Sequence, residues 1–231
     1  MRAVKTFRKV KKMNILIVDM IEGFTRKGVL ASPRVEALIP KQVEFLKQVP
    51  DDSYVVFACD SHLLGDSEFK RMPEHCIRGS KECNICPELM EVVRERGLTY
   101  QIVFKRTHSA FFETDMDHVM KEAKAYYNIG DDWVVFGCVT DICIAANVAE
   151  LDYRGKNITL VRDLIDTYEI TEDQAVAMGS KSKTHTPSVY NDLFFDYYFP
   201  GVWGVKVTTA YFIFPQIFPQ ILRNDLHDDK E

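Results

Sequence analysis

The sequence has no uninterrupted apolar run of membrane-spanning length, no apolar leader, no excess of basic residues and no cysteine framework. Each absence removes a class of protein. The longest apolar stretch near the C-terminal end, AYFIFPQIFPQIL at 210–222, is broken by Pro215 and Pro219 and falls short of the roughly 20 residues a bilayer span needs. The opening residues MRAVKTFRKVKKM are basic but have no apolar core, so they read as a solvated arm rather than a secretory signal. With 34 acidic residues against 29 Lys and Arg, and a net charge of -5, the chain lacks the basic face of a general nucleic-acid binder. The six cysteines, Cys59, Cys76, Cys83, Cys86, Cys138 and Cys143, have no small-scaffold spacing, which points to reduced thiols and a cytoplasmic protein.

What is present is enough apolar material, 46% of 231 residues, for one large core. Short β-branched runs alternate with helical patterns: ILIV (15–18), YVVFA (54–58), YQIVF (100–104), WVVFG (133–137), ITLV (158–161) and VWGVKV (202–207). This alternation predicts an α/β fold, a three-layer α/β/α sandwich around a six-stranded, mainly parallel sheet. Helices are expected at 33–49 behind the cap Ser32, at 87–96 between Pro87 and Gly97, at 115–128, from Thr140 or Asp141 to a stop at Gly155, and at 172–180 and 188–198. The expected boundaries are a basic arm at 1–12, one domain at 13–208 and an aromatic and acidic tail at 209–231. The apolar part of that tail makes packing on the core or self-association into a homo-oligomer an expectation. The stretch 61–86 has no strong periodicity, and is either disordered or an ordered functional loop.

Chemistry-bearing residues follow the strands. Asp19 comes after ILIV; Cys59, Asp60 and His62 after YVVFA; Lys105 after YQIVF; a two-cysteine segment after WVVFG; Asp163 after ITLV. An open parallel sheet binds ligands beyond the carboxyl ends of its strands. These residues are therefore expected to converge on one crevice.

In GCVTDICI (137–144), Cys138 ends a strand that reads as buried, the place of a small core hydrophobe. Cys143 falls in the first turn of the next helix, where free N–H groups and the helix dipole favour a thiolate. A cysteine nucleophile needs a proton acceptor and a group that steadies negative charge. Asp19 and Lys105, at equivalent strand ends, supply both types, although each taken alone would read as an ordinary loop carboxylate and a solvated cation.

The loop CDSHLLGDSEFKRMPEHCIRGS (59–80) carries a second cluster. Asp60 and His62 are two residues apart, so extended backbone puts both on one side, and Glu68 and His75 follow. Carboxylate and imidazole donors suit one divalent metal ion, zinc first, with iron or manganese as alternatives. Asp66 stands close enough to replace Glu68. Cys83 and Cys86 form a C-x-x-C without a second pair at zinc-ribbon spacing, and read as loop thiols.

Three segments, ILIVDMIEGF (15–24), FKRTHSAFFET (104–114) and GCVTDICI, resemble the signature segments of the isochorismatase-like cysteine hydrolases, over about residues 13–208. The resemblance implies Cys143 as nucleophile, Asp19 as acid/base and Lys105 as third member of the triad. It also implies an oxyanion hole from the backbone amides of Val139 and Cys143, and a cis peptide between Val139 and Thr140. The Asp-x-His…His pattern resembles the nicotinamidase (pyrazinamidase) branch, which implies a metal at Asp60, His62, His75 and Glu68 that holds the pyridine nitrogen of nicotinamide, with Phe24 and Phe111 against the ring. The implied reaction is hydrolysis of nicotinamide to nicotinate and ammonia through a cysteine thioester, in NAD salvage. The chain departs from the first signature, which commonly has Gln and a polar residue where this one has Met20, Ile21, Glu22 and Gly23. Two rivals follow: a sibling hydrolase of another small amide or a vinyl ether, and a catalytically silent binding module.

Overall fold

The computed structural model describes residues 11–128, 130–177 and 184–215. Six strands, β1 (Asn14–Val18), β2 (Tyr54–Asp60), β3 (Thr99–Lys105), β4 (Asp132–Cys138), β5 (Asn157–Asp166) and β6 (Lys206–Thr208), form one sheet in the order β3-β2-β1-β4-β5-β6. Every neighbouring pair is parallel. The α/β sandwich expected from the alternating runs is therefore the observed fold. All residues of β1 and β2 are buried, as a strand covered on both faces requires. The order runs outward in both directions from β1 and β4, so the topological switch point, where crevices open in such sheets, lies between these two strands. Asp19 follows the first of them and the 138–143 segment the second.

The helices between the strands are α1 (Glu22–Thr25), α2 (Pro33–Glu36), α3 (Ile39–Leu46), α4 (Pro87–Glu95), α5 (Met116–Tyr127), α6 (Ala145–Tyr153), α7 (Glu172–Ala177), α8 (Pro187–Asp192), α9 (Phe199–Trp203) and α10 (Ala210–Ile213). The single helix expected at 33–49 is two, because Pro40 sits in the first turn of α3 and has no N–H to continue a ladder from α2. Only the end of the run 202–207 is strand: α9 occupies its start, and Gly204, at φ 62, turns the chain into β6. β5 extends past the apolar run to Asp166, so Asp163 lies within the strand, where its Oδ1 accepts the N–H of Ala210. It does not join the crevice. The final residues expected in helix 172–180 lie outside the described residues.

The loop 61–86 is ordered. It holds 3-10 turns at Ser67–Lys70 and Lys81–Cys83 and is tied down by bridges from His62 to Ile77 and from Ile21 to Ile85. Beyond β6, Ala210 and Phe214 are buried, the Phe214 ring lying 5.1 Å from that of Phe45. Among the described residues no helix is long and apolar enough to cross a membrane.

Candidate active site and metal cluster

Four strand ends bring the chemistry together. Asp19 leaves β1 with φ 54, a backbone region that a non-glycine residue occupies only when its surroundings hold it there. Its N–H goes to the carbonyl of Ala58, 2.8 Å away, and its Oδ1 accepts the N–H of Asp60 at 3.0 Å. Lys105, the last residue of β3, is fully buried. Its Nζ lies 2.7 Å from Asp19 Oδ2, 3.8 Å from Cys143 Sγ and in direct contact with Asp60 Oδ1. The three residues of the expected triad thus meet at one ammonium group, and Asp60, which also touches it, links them to a second cluster of polar side chains.

The electrostatics of the four groups differ. Burial, reinforced by the nearby Asp60 carboxylate, raises the Asp19 carboxyl from its ordinary 3.8 to about 6 against the pull of Lys105. Burial also favours the neutral form of Asp60, but Lys105, His62 and His75 outweigh it and hold that carboxyl well below the usual range. Burial works against the Lys105 charge, yet Asp19, Asp60 and Cys143 keep it an ammonium. Burial pushes the Cys143 thiol well above its usual value, with Lys105 pulling the other way. The resting sulfur is therefore a thiol beside a cation, and an attack by it would need a base.

Cys143 sits in a π-helical turn, Thr140–Ile144, that opens α6. The cis peptide lies between Cys138 and Val139, one residue earlier than expected. Val139 is extended, with φ -99 and ψ 151, and Thr140 begins the helical turn. The Val139 carbonyl accepts the N–H groups of Ile142 and Ile144, at 3.3 and 3.1 Å. Gly137, at φ 130, permits the approach of β4 to β1; a Cβ there would lie 2.0 Å from the Val18 carbonyl oxygen. Cys138 is buried, its thiol directed at the Asp19 carbonyl 3.2 Å away.

The second cluster shares Asp60. Its Oδ2 lies 3.6 Å from Nε2 of both His62 and His75, and one ligand atom from each of the three residues lies within 4.8 Å of the others. His62 Nδ1 faces Asp66 Oδ2 at 3.1 Å, and His75 Nδ1 faces the Pro73 carbonyl at 2.8 Å. Both Nδ1 atoms face oxygens that can only accept, so when the rings are neutral both Nε2 lone pairs are turned toward Asp60, the arrangement by which outer partners orient ligating imidazoles. His62 Nε2 is buried with no hydrogen-bond partner. This orphaned acceptor, in a set of one carboxylate and two imidazoles, fits a divalent ion. Glu68 stands outside the trio, its Oε1 being 3.8 Å from both His75 Nε2 and His108 Nδ1. Asp66 serves His62 from behind and pairs with Arg106.

Of the two aromatic candidates, the Phe24 ring centroid is 5.8 Å from that of His75, while the face of Phe111 is covered by the Arg154 guanidinium at 4.1 Å. Cys83 donates to the carbonyls of Cys76 and Ile77, and all six cysteines are free. Sequence reasoning missed Asn147, a buried amide that receives the N–H of Ala110 and donates to the carbonyls of His108 and Cys143, tying the segment after Lys105 to the turn that carries Cys143. It also missed Arg106, whose one signal is its place directly after Lys105.

No curated protein matches the chain in sequence. Among solved structures it resembles N-carbamoylsarcosine amidase from Thermoplasma acidophilum, with a TM-score of 0.63 and 22% identity over 87% of this chain and 97% of that one. Pyrazinamidase/nicotinamidase from Streptococcus mutans aligns with a TM-score of 0.64 and 21% identity over 85% and 100% of the two chains. A cysteine hydrolase from Pseudomonas syringae pv. phaseolicola gives 0.68 and 16% identity over 94% and 98%. At these identities the likeness is one of fold. The isochorismatase domain family matches residues 14–184, most of the chain and all of the strand ends described above, and the chain belongs to that family.

Proposed function

We propose that the chain is a metal-dependent cysteine amidohydrolase that converts nicotinamide to nicotinate and ammonia. The observation that carries this reading is the position of Asp60: one oxygen touches the lysine that also meets Asp19 and Cys143, and the other lies 3.6 Å from two converging imidazoles. A site for a nucleophile and a site for a metal therefore share one residue. Asp60, His62 and His75, with Glu68 adjacent, would hold the ion, which when bound supplies a Lewis acid for the pyridine nitrogen.

The chain's own groups then account for the chemistry. Asp19, near neutrality a carboxylate, takes the Cys143 proton while Lys105 steadies the forming thiolate. Sulfur bonds to the carboxamide carbon, and the backbone amides of Val139 and Cys143 receive the oxyanion. Asp19 returns its proton to the departing nitrogen, the C–N bond breaks, and ammonia leaves. Water, deprotonated by Asp19, cleaves the thioester to the carboxylate and restores the thiol. Phe24, beside His75, flanks the ring. The domain is 13–208, with the arm before it and the tail after it, and its place is NAD salvage in the cytoplasm.

Ammonia release from nicotinamide, measured with and without chelator, tests the reading. Release that stops on chelation and returns with zinc, iron or manganese supports it. Release from N-carbamoylsarcosine or another small amide, with none from nicotinamide, overturns the substrate and keeps the hydrolase. Turnover of no amide and no vinyl ether leaves the silent binding module.

A further inference from the structure

The helical turn that carries Cys143 is held from the side by groups that the reaction does not use. Thr140 Oγ1 bonds to Asn191 Oδ1 at 2.6 Å. Asp141, two residues before the cysteine, accepts Thr167 Oγ1 on one oxygen at 2.5 Å and faces His185 Nε2 with the other at 2.9 Å. Two side chains of the turn are thus clamped by the segments that follow β5.

His185 is the rigid part of that clamp. Its backbone N–H and carbonyl both pair with Ile170, each at 3.0 Å, so its main chain is pinned. Its Nδ1 faces the Tyr168 carbonyl at 2.8 Å. Its ring is stacked between Tyr168, centroids 4.1 Å apart and planes 14° from parallel, and Tyr190, at 3.8 Å and 16°. A pinned backbone, a sandwiched ring and both nitrogens directed at acceptors leave the imidazole no freedom to rotate. It acts as a strut that fixes the Asp141 carboxylate.

The need for a strut is local. A π-helical turn has poorer intrinsic geometry than an α-turn and occurs as single turns, and this one has no side-chain cap at its start. The contacts of Asp141 with Thr167 and His185 hold the turn from the side instead, two residues from Cys143.

We infer that His185 is a positioning residue which, through Asp141, aims Cys143 at the substrate carbon. This rests on the reading of Cys143 as nucleophile given above. A displacement of about 1 Å at a reacting atom costs on the order of 100-fold in rate, so His185→Ala should lower kcat by about that factor while KM changes little. His185→Gln, which keeps an N–H donor for Asp141, should recover most of the loss.

The test is steady-state turnover of nicotinamide by the metal-loaded full chain, with mass-spectrometric measurement of the rate at which iodoacetamide alkylates Cys143 in the wild type, His185→Ala, His185→Gln and Asp141→Asn. The expected result is a fall in kcat and in Cys143 alkylation for His185→Ala and Asp141→Asn, with Gln partly restoring both. Melting temperatures identify a variant that has lost its fold, and His185→Gln then carries the test. A lower melting temperature with kcat and Cys143 alkylation unchanged overturns the inference and leaves His185 structural. If Cys143→Ala keeps activity, the parent reading fails instead, and the two failures are separable.

Discussion

Replacing Lys105 with methionine removes, among the described residues, the only Lys or Arg against the two buried carboxylates Asp19 and Asp60. Asp19 Oδ2 lies 2.7 Å from Nζ, a separation worth on the order of 6 kcal/mol of attraction at an effective dielectric of about 20; Asp60 adds a second contact of the same kind. Most of that attraction offsets the desolvation of the three charges, so the measurable loss is the smaller figure for a buried pair stripped of one partner, about 3–5 kcal/mol. For a chain of this size that corresponds to a melting temperature lower by roughly 6–20 °C at pH 7.5. Methionine fills a similar volume, which keeps a cavity from adding to the effect. As pH falls, protons replace the missing cation on the carboxylates, so the deficit between variant and wild type should shrink toward pH 5. Thermal melts of both proteins at the two pH values are the assay. A variant that melts with the wild type at pH 7.5, or a deficit that grows on acidification, would refute the charge arrangement described for the site.

The other predictions follow from single observations. Because burial raises the Asp19 carboxyl to about 6 and the base form is required, kcat/KM should rise with pH through about 6 and then level; a profile flat from pH 5 to 7 would remove Asp19 as the base. In stability the sign is opposite: between 3.8 and about 6 the folded chain holds a proton that the unfolded chain has released. The contribution of this carboxyl is thus full below 3.8 and lost as pH rises through 6, and Asp19→Asn should flatten that part of the stability curve. Gly137→Ala would place a Cβ 2.0 Å from the Val18 carbonyl oxygen, and should cost about 3 kcal/mol or more in a denaturant melt. Zinc at about 100 times its Kd should stabilise the wild type by about 2.7 kcal/mol. His62→Ala and His75→Ala should lose that increment, whereas Glu68→Gln should keep most of it.

The fold was legible because β1 to β5 each contain a short apolar run rich in β-branched residues, as a covered parallel sheet needs. The convergence of the candidate site was legible where chemistry stood at strand ends: Asp19, Asp60, Lys105 and Cys143 are each within five residues of one. Sequence reasoning failed where a long-range partner or a special backbone state decided the outcome. No 3.6-residue period announces the π-helical turn at Thr140–Ile144, and the split at Pro40 was read through. The pairs His185–Asp141 and Arg106–Asp66 join residues 44 and 40 positions apart, which neither motif nor periodicity reveals. Asp163 was misplaced because β5 runs on through charged residues to Asp166, a polar strand end that an apolar-run reading stops short of.

The central claim is that Cys143, and not Cys138, carries the acyl group. The most direct measurement is acid-quenched turnover of nicotinamide by the zinc-loaded chain, followed by peptide mapping, run beside Cys143→Ala and Cys138→Ala. The account predicts a nicotinoyl thioester on the Cys143 peptide, none in Cys143→Ala, which should release no ammonia, and one retained in Cys138→Ala. An acyl group mapped to Cys138, or undiminished ammonia release from Cys143→Ala, would contradict it.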